Sequence, residues 1–64
     1  MNAAADHQAV AREALSVPWS DFWNRRERTF LKDMSGGRRC SPAQRNWLDR
    51  LATRARAARQ AEGR

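Results

Sequence analysis

Two interruptions set the limits on what this chain can fold into. Ser16-Val17-Pro18 breaks it once, and Ser35-Gly36-Gly37-Arg38-Arg39-Cys40 breaks it again. Proline removes a backbone donor and restricts the residue before it, and glycine permits the left-handed backbone that ends helices. Three segments result, and none shows the alternation of a strand. The apolar residues recur instead at helical spacing. The expected fold is therefore all-α: an antiparallel hairpin of helices at about 18–34 and 42–60, with a weak N-terminal helix at about 3–15 packed loosely across it.

The segments differ in quality. Residues 2–15 are rich in alanine, the best helix former, but Val10, Ala11, Ala14 and Leu15 make only a thin apolar face. Such a face is expected to fray or to dock partly. His7 has no second ligand beside it and is expected to be exposed. The second helix is read from Pro18, which is well tolerated in a first turn. Trp19, Trp23, Phe30, Leu31 and Met34 share its inward face, with Phe22 at the edge. Glu27 falls inside that stripe. Either it pairs with an arginine of another helix or it interrupts the stripe. Arg25, Arg28 and Lys32 lie opposite. The third helix carries the sharpest local signal, because Ser41-Pro42-Ala43-Gln44 has the form of a capping box with proline in the first turn. Its stripe is Gln44, Trp47, Leu48, Leu51, Ala55 and Ala58. The organisation expected is a weakly ordered helix at 1–16, a hairpin domain at 17–61 and a frayed tail at 62–64.

A chain of 64 residues buries little surface and is marginal without a staple. Cys40 is the only cysteine, which excludes an internal disulfide and a cysteine-based zinc cluster. A homodimer or a bound partner would help it. There is no run of about 20 apolar residues, and no basic start followed by an apolar core as in a secretory signal. Asp6 and Glu13 argue against a transit peptide. The expectation is a cytoplasmic protein with no membrane partner. Catalysis needs convergent groups, and one histidine, one cysteine and scattered carboxylates supply no nucleophile–base pair. Gly36-Gly37 lacks the spacing and the lysine of a phosphate loop. No catalytic residue, metal site or cofactor is expected.

Charge gives the functional expectation. Lysine and arginine total 13 against 7 acids, a net of +6. Residues 1–35 balance, with five bases and five acids, while residues 36–64 carry eight arginines against Asp49 and Glu62. This asymmetry points to an acidic partner, either nucleic acid or a nucleoprotein, or an acidic protein surface. The candidate contacts are Arg38, Arg39, Ser41, Arg45, Arg50, Arg54, Arg56 and Arg59. Arg38, Arg39, Ser41 and Arg45 gather at a helix N-terminus, where free N–H groups also favour anions. Trp19 and Phe22 are candidate aromatic anchors for a protein partner.

From Trp23 to Arg54 the chain resembles a module found in small phage and prophage proteins. The shared features are an aromatic-led helix with Phe30-Leu31 and Met34, a glycine-containing loop, and Ser41-Pro42-Ala43-Gln44 followed by Trp47-Leu48 and Leu51. The resemblance covers about half the chain and carries over no catalytic residue. It implies a mobile-element origin and two roles: an accessory protein in DNA handling, or an inhibitor or adaptor that binds a host complex such as a polymerase or a defence nuclease.

Overall fold

This computed structural model describes residues 3–19 and 21–62, with side chains from His7 onward. Gly63 and Arg64, part of the tail expected to fray, lie outside the described residues. Three helices account for the regular structure among them: α1 (Ala3–Leu15), α2 (Arg25–Ser35) and α3 (Pro42–Glu62). The all-α hairpin is what the sequence predicts. Phe30 lies opposite Trp47 and Glu27 opposite Arg54, so α2 and α3 run antiparallel.

Helix α2 starts later than its aromatic stripe suggests. Its N-cap is Asn24, whose side-chain oxygen accepts from the Glu27 N–H at 2.8 Å. The Asn24 N–H in turn donates to Glu27 Oε1 at 3.0 Å, closing a capping box. Trp19 and Phe22 instead belong to a turn, in which the Phe22 N–H donates to the Trp19 carbonyl at 3.3 Å. The far end of α2 closes with a Schellman motif. The Gly37 N–H donates to the Met34 carbonyl and the Arg38 N–H to the Asp33 carbonyl, both at 3.2 Å. Gly37 takes the left-handed φ of 90° that this motif requires. Helix α3 begins as the sequence indicates. The Ser41 N–H donates to Gln44 Oε1 at 2.8 Å, and the Gln44 N–H to Ser41 Oγ at 3.2 Å.

The main departure from expectation is α1. It packs against both α2 and α3 rather than lying loosely across them. Ala11 and Ala14 are fully enclosed, within one cluster with Trp23, Phe30, Leu31, Met34, Leu48, Leu51 and Ala55. A face of small side chains lets helices approach closely, so a thin apolar stripe still fills a close-packed interior. Two polar anchors hold the helix in place. The Trp23 indole donates from Nε1 to the Ala14 carbonyl at 3.0 Å, a buried bond that satisfies a carbonyl of the last turn. His7 is buried, not exposed, and its Nε2 donates to the Arg38 carbonyl at 2.9 Å. A loop carbonyl reached across the fold thus partners the imidazole, which is why the sequence around His7 does not reveal its burial. Beside it, the Gln8 side chain rests against Gly37.

Of the aromatic and apolar residues expected in the core, Trp23, Phe30, Leu31, Met34, Leu48 and Leu51 are buried. Trp47 and Trp19 are only half-buried.

These anchors predict specific losses. Trp23→Phe keeps the ring but strands the Ala14 carbonyl, and should lower stability by about 1–2 kcal/mol in urea unfolding. Gly37→Ala should cost about 1 kcal/mol or more, because φ is positive and a Cβ would fall 2.5 Å from Gln8 Nε2. Unchanged midpoints for both variants would mean that α1 is not held this way.

Candidate functional site

The arginines that the charge asymmetry singles out are mostly engaged within the chain. Arg38 Nη1 donates to Asp33 Oδ2 at 3.2 Å, and Arg45 Nε to Asp49 Oδ1 at 3.0 Å. Arg54 Nη2 meets Glu27 Oε2 at 2.5 Å, the partnership that the position of Glu27 in the α2 stripe allows. Arg56 Nε donates to Glu13 Oε1 at 3.0 Å. Arg59 donates to the Glu13 carbonyl at 3.3 Å and also to the Ser16 hydroxyl. Three of these pairs join an acid of the N-terminal half to an arginine of the C-terminal half. The C-terminal surplus therefore offsets the acids of the helices it packs against.

Arg38, Arg39, Ser41 and Arg45 do not form a shared anion cradle. The Ser41 hydroxyl and the Gln44 carboxamide are taken up by each other's backbone N–H groups, and the two flanking arginines 38 and 45 turn to different carboxylates. Arg39 and Arg50 have no ion-pair partner among the described residues, and neither do Arg12, Arg25, Arg26 and Lys32.

Arg54 has a second role. Its guanidinium lies 4.9 Å from the Trp23 ring centroid and 5.7 Å from that of Phe22. Phe22 in turn meets Trp23 edge-on at 4.7 Å and lies 5.5 Å from Trp19. A cation over a ring face is favourable, more so when partly shielded from water. Phe22 is thus half-buried beneath an arginine, while Trp19 lines an open depression of about 510 Å³ with Leu15, Val17, Asp21 and Lys32.

A second depression, also about 510 Å³, lies between α2 and α3. Phe30 and Trp47 form its aromatic part, stacked with centroids 4.2 Å apart and planes 25° from parallel. Arg25, Arg26 and Thr29 complete its wall, together with Asp33, whose charge is met by Arg38. Arg50 follows Trp47 by one turn on the same edge of α3. Neither the capping logic nor the charge count identifies this groove. The one signal for it in the sequence is Trp47 at the margin of its stripe.

Two carboxylates are electrostatically tuned. The Arg56 hydrogen bond and charge hold Glu13 below the usual carboxylate range, with help from Arg59, and the same contact raises Arg56. Burial pushes Glu27 up, but the Asn24 N–H and the Arg54 guanidinium together outweigh it and leave its pKa lowered. Among the described residues no cluster of three or more histidines, cysteines or acids stands together as a metal set. Nor is any helix among them long and apolar enough to cross a membrane. Comparison with known protein families, characterised proteins and solved structures finds no match.

The Glu27–Arg54 pair gives a pH prediction. A carboxyl lowered in the folded state contributes fully above the ordinary value of about 4.3, and its contribution is lost as pH falls through the folded value. Half of the Arg54 side chain is exposed, so screening limits the pair to about 1 kcal/mol at neutral pH. Glu27→Gln should be less stable by that amount at pH 7, with the gap closing as pH is lowered through and below the ordinary carboxylate range. A gap that stays constant across this range would remove the electrostatic part of the explanation.

Proposed function

We propose that this chain is a small non-enzymatic accessory protein that binds nucleic acid or a nucleoprotein through cationic surface. The reading rests on the cations that internal pairing leaves over. Arg12, Arg25, Arg26, Lys32, Arg39 and Arg50 have no ion-pair partner among the described residues, while four of the seven acids are already paired. Uncompensated guanidinium groups suit phosphate, which accepts two parallel hydrogen bonds from one arginine. The paired C-terminal arginines contribute in a different way. Arg54, Arg56 and Arg59 link α3 to groups of the N-terminal half, and all of them add to the long-range field that speeds encounter with a polyanion. An origin in a mobile element fits this role, since such chains accompany DNA-handling machinery.

A second reading has its own observation. The depression beside Trp19 is lined by Leu15 and Val17, and Trp19 is not part of the core cluster. This is the shape an aromatic or aliphatic anchor of a host protein would enter, with Lys32 steering an acidic partner.

Binding to a generic duplex and to a single strand, measured at two salt concentrations, tests the leading reading. Micromolar affinity at about 50 mM salt should fall steeply by about 200 mM, as counterion release requires. Arg25→Ala/Arg26→Ala should weaken binding and flatten the salt slope, whereas Arg56→Ala should act mainly on stability. Absence of binding to either nucleic acid at about 50 mM salt would defeat the proposal.

A further inference from the structure

The groove between α2 and α3 combines two features found nowhere else among the described residues: a stacked aromatic pair and adjacent arginines without an acid partner. We infer that it is a base-stacking site for single-stranded nucleic acid, in which a nucleobase extends the Phe30–Trp47 stack and Arg25 and Arg26 take the neighbouring phosphates. This inference rests on the nucleic-acid reading above and gives it a particular ligand class.

Three observations carry it. First, the aromatic pair is asymmetric. Phe30 is 8% exposed and belongs to the core, while Trp47 is half-buried and lines the groove. Phe30 thus fixes the plane of an accessible indole, the preorganisation that a stacking platform needs. Second, the charge of the wall is complementary to a polyanion. Its one acid, Asp33, is met by Arg38 at 3.2 Å, and Arg25 and Arg26 are unpaired among the described residues. Arg50 adds a third cation on the Trp47 edge of α3. Third, the depression of about 510 Å³ is open to solvent, so an extended strand can lie along it.

A duplex meets these features less well. Its base faces are already stacked on one another, and only its phosphates would reach the arginines. Single strands present their π-faces freely, and every base has one, so this platform is tolerant of sequence. An acidic peptide satisfies the arginines but leaves the indole without a flat partner.

The test uses the full chain, a thymidine homopolymer, a mixed-sequence duplex of equal length and a polyglutamate of similar charge. The single strand should bind more tightly than the duplex and should quench indole fluorescence. Trp47→Ala should weaken single-strand binding by between about 5-fold and 100-fold, the range for loss of one stacked base, while leaving duplex binding unchanged. Trp47→Phe should retain most of the affinity, and Trp19→Ala all of it. If Trp47→Ala fails to fold, Arg25→Gln/Arg26→Gln serves instead. It should lower the single-strand salt slope by about 1.4, or 0.7 for each lost phosphate contact.

Equal binding of single strand and duplex, unaffected in a folded Trp47→Ala, would overturn the stacking site and leave the wider nucleic-acid reading standing. Polyglutamate displacing the homopolymer at equal charge would overturn it too. Failure to bind any nucleic acid at about 50 mM salt would remove both readings together.

Discussion

The bond from the Trp23 indole to the Ala14 carbonyl is the contact on which the rest of the arrangement depends. It joins the end of α1 to the segment that leads into α2, and it lets a large aromatic be buried without an orphaned N–H. Trp23 also supplies a ring over which Arg54 sits, and Arg54 reaches Glu27 from there. Two turns before Ala14 on α1, His7 closes onto the Arg38 carbonyl. The helix with the thinnest apolar face is therefore pinned at two points, and its Ala11 and Ala14 are enclosed by its neighbours. For so short a chain this is an economical solution, because backbone carbonyls that needed partners anyway receive buried donors.

The same packing redistributes charge. Along the sequence, the positive surplus belongs wholly to residues 36–64. In the fold, arginines of that stretch reach Asp33, Glu27 and Glu13 across helix boundaries. Exposed pairs of this kind are individually weak, and their main consequence is to decide where charge remains uncompensated. What remains includes Arg25 and Arg26, which belong to the half of the chain that looks neutral by composition. Net charge along a sequence and net charge on a face are separate quantities, and tertiary pairing converts one into the other.

How much of this could be read from residues alone varies with the range of the interaction. The start of α3 was legible because Ser41, Pro42 and Gln44 act on their own neighbours. The end of α2 was legible for the same reason, through Gly36 and Gly37. The start of α2 was readable in principle, since Asn24 and Glu27 have capping-box spacing, but Pro18 and the tryptophan periodicity offered a competing start. Burial of His7 was not legible, because its partner lies 31 residues away. The seat of α1 was hidden for a related reason. Alanine looks like a weak core residue until a facing helix comes close enough to exclude water. The α2–α3 groove needed the fold itself, since it forms only when Phe30 and Trp47 are brought together.

Internal pairing engages Arg38, Arg45, Arg54, Arg56 and Arg59, and the surface proposed to meet an anion is the α2–α3 groove. Titration of an isotopically labelled chain with a thymidine homopolymer, followed at backbone amides, arginine side chains and the three indoles by NMR, distinguishes the two surfaces. The largest shifts should fall on Arg25, Arg26 and the Trp47 indole, with Arg56 and Arg59 nearly unmoved. Shifts concentrated on Arg56, Arg59 and their neighbours in α3, with the Trp47 indole unchanged, would contradict it.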